Sequence, residues 1–356
     1  MDKNDIKIIK APALKKKPAK GDDLGFGRLF TDHMFIMDYA DGWRDPRIVP
    51  YENLSLDPAS MVFHYGQAAF EGLKAYKSKS GELLLFRPLM NFTRMNSSSD
   101  RLCMPKLDIN FALDALKEFI KFERDWIPSE SGTSLYIRPF MIATDPFIGV
   151  RPSDSYLFII LLSPVGAYYP EGLAPVKISV ETEYVRAVRG GLGFTKAAAN
   201  YAASLKSQSL AKELGYTQVL WLDAIERKYI EEVGTMNIFF KIDGKVVTPS
   251  LSGSVLPGVT RDSAIRLIKK FGYAVEERQL AIGEIKEAYN KGLLEEAFGT
   301  GTAAVVSPVG VLAIDGETLN LSGGKIGPLS QKLYDTLTGI QYGEIEDEFN
   351  WVERVL

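Results

Sequence analysis

The chain has 356 residues, 46% of them hydrophobic and 24% charged, with a formal net charge of −3. That length suits about two domains, and the balance is that of an ordinary globular enzyme. The charge makes no global electrostatic case for nucleic acid or for an anionic membrane, and no apolar run approaches the roughly 18 residues that a membrane span requires.

The first segment carries Lys3, Lys7, Lys10, Lys15, Lys16, Lys17 and Lys20. It has neither the apolar core of a secretory signal nor the arginines of a mitochondrial transit peptide, so it reads as a solvated arm partly ordered as an edge strand. Residues 35–37 and 83–86 read as strands. Residues 110–124 have apolar positions at helical spacing, Phe111, Leu113, Leu116, Phe119 and Ile120. Residues 135–142 and 156–162 are apolar and read as buried strands. The Pro- and Gly-bearing stretch 163–172 breaks both periodicities. The boundary therefore falls there: a small N-terminal α/β domain over 1–165, an interdomain loop over 166–176, and a large C-terminal domain over 177–356.

The second half opens with a strand over 176–182. A helix starts near Thr195 and runs to about Leu214, stopped by Gly215. Strands follow at 217–222, 237–242 and 245–248, the last two joined by Asp243-Gly244, a hairpin signal. Residues 260–271 form an amphipathic helix closed by Gly272, and 282–291 form another. Residues 295–306 carry a glycine turn inside an apolar run.

Two features carry chemistry. Lys196 follows Gly190-Gly191-Leu192-Gly193-Phe194-Thr195, where glycines let the backbone approach a ligand. Glu232 lies between apolar residues on a strand. A lysine that forms a Schiff base and an acid that keeps a ring nitrogen protonated are the two parts a pyridoxal phosphate (PLP) enzyme needs. From the residues alone Lys196 is equally an exposed lysine in a first helical turn, and Glu232 equally the wet face of an alternating strand. Val259 and Thr260, at a helix start behind Pro257-Gly258, form a generic anion site, and Thr260 is also a plain N-cap.

Two decoys fail. The run ending at Lys196 lacks the spacing of a P-loop. Gly299-Thr300-Gly301-Thr302-Ala303-Ala304 has dinucleotide-site spacing, but strand and turn follow it where a helix is required. With His33, His64 and the single Cys103, no metal cluster or histidine triad is expected. One cysteine also excludes an intrachain disulfide and fits a cytoplasmic location.

The runs GGLGFTKAAANYAASL (190–205) and EEVGTMNIFF (231–240) closely resemble the branched-chain amino acid aminotransferases of PLP fold type IV. FGRLFTDHM (26–34), HYGQAAFEGLK (64–74), LYIRP (135–139), LPGV (256–259), GTGTA (299–303) and IQYG (340–343) extend the resemblance in order over about 26–343. It implies a two-domain α/β (α+β) fold, D-amino acid aminotransferase-like, with pyridoxal 5′-phosphate between the domains. It implies that Lys196 holds the cofactor and then acts as general base. Glu232 would partner the ring nitrogen and Tyr201 the ring hydroxyl. Arg94, Arg186, Val259, Thr260 and Thr302 would hold the phosphate, and Thr235 joins the cofactor set.

On the substrate side the resemblance implies a pocket of Phe26, Tyr65, Phe70, Tyr136 and Tyr168. Each alone reads rather as core packing, and the pocket reading rests on all five matching together. Arg138 would orient Tyr65, and the amides of Thr302 and Ala303 would bind the carboxylate. Ile148 and Val150 would reach into the partner's site, which implies a homodimer with shared active sites. The implied reaction moves the amino group of leucine, isoleucine or valine to 2-oxoglutarate, so the small-molecule partners are amino acids and 2-oxo acids. Neither nucleic acid nor membrane is an expected partner. The Cys-x-x-Cys switch of the mammalian enzymes is replaced by Ala304 and Ser307, which removes thiol chemistry there. D-amino acid aminotransferases and aminodeoxychorismate lyases share the lysine and the glutamate; FTDHM, EVGTMNIF and IQYG separate this chain from them. A non-catalytic PLP-binding protein would have no need of the whole intact set.

Overall fold

A computed structural model describes residues 2–166 and 173–355. The chain divides into two compact units. The first comprises Met1–Pro170, Thr195–Ala198 and Gly339–Leu356; the second comprises Glu171–Phe194 and Ala199–Thr338. The four residues around Lys196 and the C-terminal tail thus belong with the N-terminal unit, which sequence periodicity had no means of showing.

The first unit is built on strands β1 (Lys7–Ile8), β2 (His33–Ala40), β3 (Trp43–Pro50), β4 (Ala68–Phe70), β5 (Leu73–Lys77), β6 (Leu83–Phe86), β7 (Ser134–Ala143) and β8 (Ser155–Val165). They join in the order β1-β3-β2-β8-β7-β5-β6, with Val352–Arg354 added beyond β6 and β4 paired to β7. The lysine-rich arm supplies the edge strand β1. It is tied down further along, where the amide of Ala11 donates to His33 Nε2 at 2.8 Å and that of Lys15 to Asp32 Oδ1 at 2.7 Å.

Side chains alternate across this sheet with period two. Phe35 and Met37 enter the main core with Leu135, Ile137 and Met141, whereas Met34 and Ile36 enter a separate cluster with Ile159 and Phe140. The main core is covered by α2 (Pro88–Arg101) and α3 (Ile109–Phe122) through Phe92, Met95, Leu116 and Phe119. A short α1 (Met61–Tyr65) precedes β4. Helix α3 starts at Asp108, whose side chain accepts from the amides of Asn110 and Phe111. Helix α2 has no comparable sequence signal, because it buries Asn91, Arg94, Ser98 and Ser99 beside its apolar residues.

The second unit holds β9 (Val176–Glu181), β10 (Gln218–Leu222), β11 (Ile230–Val233), β12 (Met236–Ile242), β13 (Lys245–Pro249), β14 (Val275–Arg278), β15 (Leu294–Gly301), β16 (Val305–Ile314) and β17 (Glu317–Asn320). The order is β11-β10-β9-β16-β15-β12-β13-β14, and β11 also pairs with β12. That extra pairing closes six strands into a barrel and removes their free edges. Phe239 and Phe298, opposite each other on β12 and β15, stack at 5.3 Å. The Asp243-Gly244 hairpin forms as read, with φ of 48° and 72°. Helices α4 (Ala198–Glu213), α5 (Val259–Lys270), α6 (Ile282–Asn290) and α7 (Pro328–Gln341) complete the fold. The glycine turn read within 295–306 is different in detail: Gly299 and Gly301 lie in β15, and residues 302–304 make the turn.

Among the described residues no helix is long and apolar enough to cross a membrane, and no group of three or more His, Cys, Asp or Glu side chains could hold a metal ion. Phe119 has no exposed surface and sits in the main core. Phe119→Ala should cost about 3–5 kcal/mol, read as a shift of the denaturant midpoint at unchanged slope.

Candidate active site

Lys196 is held by its backbone from two sides. The Phe70 amide donates to its carbonyl at 3.1 Å, and Ala69 bridges Ala197 next to it. The Lys196 amide donates to Ser98 Oγ on α2 at 2.9 Å. The helix expected from Thr195 therefore begins only at Ala198, because the peptide groups before it are engaged by β4 and α2. The Lys196 ammonium lies 4.8 Å from the centroid of the Phe70 ring.

Asn91, Arg94 and Ser98 fall three and four residues apart on α2 and share one face. Asn91 and Arg94 both reach Glu71, the residue after Phe70. Arg94 grips it as a fork, Nε to Oε1 at 2.7 Å and Nη2 to Oε2 at 2.9 Å, and Asn91 Nδ2 donates to Oε2 at 2.8 Å. Glu71 is fully buried. Burial pushes its carboxyl upward, but the Arg94 charge and hydrogen bond, the Lys196 charge and Asn91 outweigh it and hold the group below its ordinary value. Neither Glu71 nor Ser98 was picked out from sequence: Glu71 is hidden in an apolar-looking FEGLK run, and Ser98 is one of three consecutive serines.

Tyr136 and Arg138, two residues apart on β7, share a face. Arg138 Nη2 donates to Tyr136 Oη at 3.0 Å, and its guanidinium stands 4.8 Å from the Phe70 ring and 5.3 Å from the Tyr136 ring. Phe26 meets Tyr136 edge-on at 5.0 Å. Phe26, Phe70, Tyr136 and Arg138, all expected at the pocket, are thus together. Gly72 lets the Tyr136 hydroxyl come close, since a Cβ there would lie 2.2 Å from Tyr136 Oη and force the side chain to shift. Arg138 does not orient Tyr65 as expected: strand alternation turns it to Tyr136, while the Tyr65 hydroxyl donates to the Ile148 carbonyl at 2.6 Å. Ile148 and Val150 are 80% and 88% exposed. Tyr168 lies outside the described residues.

Lys74 sits opposite Tyr136 in the β5–β7 register. It is buried, and burial lowers its ammonium from 10.5 to about 8.

In the second unit Glu232 and Asn237 face each other across the β11–β12 hairpin. Glu232 Oε1 accepts the Leu256 amide at 2.7 Å, and Oε2 lies 2.9 Å from Arg186 Nε. Asn237 Nδ2 donates to the Leu256 carbonyl at 2.9 Å, fixing the loop that supplies that amide. Arg186 is itself buried and donates to the carbonyls of Gly193, at 3.0 Å, and Ser254. The resemblance reads Arg186 as a phosphate contact; in the structure it is the counter-charge of a carboxylate taken out of water. Arg186, Tyr201, Glu232 and Thr235 line one pocket with Asn200, Ser204, Gly234 and Leu256.

Val259 and Thr260 open α5, where backbone N–H groups point out along the axis. Thr302 and Ala303 form the β15–β16 turn, which ends at Val305 with φ of 62°. That angle is costly for a β-branched residue, about 1–3 kcal/mol, and persists because the paired strands impose it.

A family model described as Amino-transferase class IV matches residues 68–311, more than half of the chain. The chain belongs to the class IV aminotransferases. It is 58% identical to branched-chain-amino-acid aminotransferase 2 of Bacillus subtilis (strain 168), over 100% of this chain and 98% of that protein. Among solved structures, the Escherichia coli branched-chain amino acid aminotransferase matches with a TM-score of 0.77 at 29% identity, covering 91% of this chain and 99% of that one. A branched-chain amino acid aminotransferase of T.th., solved with pyridoxamine 5′-phosphate, matches with a TM-score of 0.76 at 26% identity, covering 90% and 98%. The aminotransferase fold expected from sequence is therefore the fold this enzyme has.

Two outcomes follow from the buried charges of this aminotransferase. Because the folded state holds the Lys74 proton less tightly than the unfolded chain, the cost of burying it is full below pH 8 and fades as pH rises toward 10.5. Lys74→Met should therefore be more stable than the parent at pH 7, by up to about 3 kcal/mol, and the gain should shrink in melts above pH 8. Glu71→Ala should do the reverse, costing about 3–5 kcal/mol by stranding the buried Arg94; a melting temperature close to the parent's would contradict that account.

Proposed function

We propose that this class IV aminotransferase transfers the amino group of leucine, isoleucine or valine to 2-oxoglutarate, with pyridoxal 5′-phosphate as cofactor. The observation that carries the proposal is the donor set. It consists of a lysine fixed by its backbone beside an aromatic ring, and a buried carboxylate held by an amide and an arginine. The names of similar proteins, which are branched-chain amino acid aminotransferases, support leucine, isoleucine and valine as the amino donors.

The residues fit that cofactor. When bound, it supplies an aldehyde carbon for amines and a cationic ring that withdraws electrons from the substrate Cα. Glu232 is the carboxylate that pairs with the ring nitrogen, and its contacts with Leu256 N–H and Arg186 compensate its charge in a buried place. Tyr201 lines the same pocket as Glu232 and serves the ring hydroxyl. Arg94, the α5 amides of Val259 and Thr260, and the Thr302 turn serve the phosphate. Lys196 moves the proton at Cα: its main chain is pinned by Phe70 and Ser98, so only its side chain moves.

Phe26, Phe70 and Tyr136 supply the apolar surface for a branched side chain. Arg138 brings a cationic group to the same aromatics, which suits the second carboxylate of glutamate. The amides of Thr302 and Ala303 bind the carboxylate next to the reacting carbon. A homodimer with shared sites is supported by the exposed apolar group Phe63, Tyr65, Phe147, Ile148 and Val150, which a second copy would cover. A cytoplasmic location agrees with the single cysteine.

The test is the visible spectrum of the PLP-loaded enzyme mixed with L-leucine or D-alanine. L-Leucine alone should bleach the band, and 2-oxoglutarate should restore it. A response to D-alanine alone would move the enzyme to the D-amino acid branch of the fold. Lys196→Ala should lower the single-turnover rate with L-leucine by at least about 10²-fold. Ile148→Asp should yield monomers by sedimentation and lower activity together if the loop completes a neighbour's site.

A further inference from the structure

Strand β11 carries two buried carboxylates in succession, Glu231 and Glu232, 6% and 3% exposed. Alternation sends them to opposite faces of the strand. Glu232 takes Leu256 N–H and Arg186. Glu231 Oε1 accepts from Ser254 Oγ, while its Oε2 is buried with no hydrogen-bond partner among the described residues. Ser254 is the link between the two: its hydroxyl is on Glu231 and its carbonyl receives Arg186 Nη2. Gly193 presses against the same peptide, since a Cβ there would lie 2.2 Å from Ser254 O. The Ser254 hydroxyl also pairs with Ser252 Oγ at 3.0 Å, so Glu231 and Ser252 hold it from the side-chain end.

We infer that Glu231 is a positioning residue for the cofactor acid: through Ser254 it fixes Arg186 on Glu232, and its proton sets how much of the Arg186 charge Glu232 receives. The inference rests on Glu232 being the partner of the ring nitrogen. Glu231 touches neither cofactor nor substrate in this scheme. With its proton on, Glu231 is neutral and Arg186 answers one carboxylate. With its proton off, one guanidinium answers two, and the negative charge near the ring nitrogen rises.

The charged and titratable groups around Glu231 are Arg186, Glu232 and Asp223, with Arg189, Glu226 and Tyr229 lining the pocket beside it. Burial raises the Glu231 carboxyl from 4.5 to about 6, helped by the charges of Glu232 and Asp223 and opposed by the Ser254 hydrogen bond and Arg186. Its proton is thus exchanged within a pH range that a working enzyme meets.

The experiment is a pH titration, from about 5 to about 8, of the visible band of PLP-loaded parent, Glu231→Gln, Ser254→Ala and Glu232→Gln, with PLP affinity measured at both ends. The parent should show a spectral midpoint near 6, the Glu231 value. Glu231→Gln keeps the acceptor oxygen but not the proton, so that midpoint should vanish. Ser254→Ala removes the hydrogen bond that favours the ionised form, so the midpoint should move up by about half a unit or more. Identical profiles for the parent, Glu231→Gln and Ser254→Ala, with an altered band in Glu232→Gln, would overturn the inference and leave the Glu232 assignment standing. An unaltered band in Glu232→Gln would remove that assignment and the inference with it. Should Glu231→Gln fail to fold, the direction of the Ser254→Ala shift decides.

Discussion

Glu71 has no exposed surface, and the Arg94 fork, with Asn91, the Gly72 amide and the Lys196 charge, makes its charge tolerable there. An isolated ion in that place would cost several kcal/mol, and a bidentate guanidinium is the partner that offsets it best. The pair welds α2 to the end of β4. Everything around Lys196 follows from that weld: Phe70 precedes Glu71, Ser98 lies one turn beyond Arg94, and between them they hold the lysine backbone. The substrate-side aromatics depend on it too, because Gly72 follows Glu71 and gives Tyr136 its place.

The second unit solves the same problem in another frame. Glu232 sits in the seam where β11 and β12 close the barrel, and its partners come from a loop amide and from Arg186. Both units therefore present polar groups for chemistry by first satisfying a buried carboxylate. The two scaffolds differ, a helix-covered open sheet and a closed barrel, but the electrostatic requirement is common to both.

What could be read from sequence tracks where side chains face. Strands such as β6, β7 and β8 were legible because all or most of their residues are apolar and buried, and α3 because its apolar stripe has one period and a capped start. Helix α2 was silent because its inward face mixes Asn91, Arg94 and Ser98 with Phe92 and Met95, so no single period emerges. Of the site, Lys196 and Glu232 were visible as residue types in suggestive company. Their partners were not: Glu71, Ser98, Arg186 as a counter-ion, and Leu256 are far from them along the chain, or reach them through backbone atoms that leave no compositional trace. The Tyr65 and Arg138 relation failed for a local reason, the alternation of β7, which pairs Arg138 with Tyr136.

The first unit is discontinuous along the chain, and this bears on how the protein is made. Its sheet ends on β6, a strand buried along its whole length, and the strand that covers β6 is Val352–Arg354. During synthesis the N-terminal unit emerges first but keeps an open apolar edge on β6 until Val352–Arg354 has been made. The barrel, by contrast, has its closing β11–β12 hairpin and every other strand complete by Asn320. The unit that begins first is therefore finished last, and the interval in between is when a chain of this design is most prone to pair its free edge with a neighbour's.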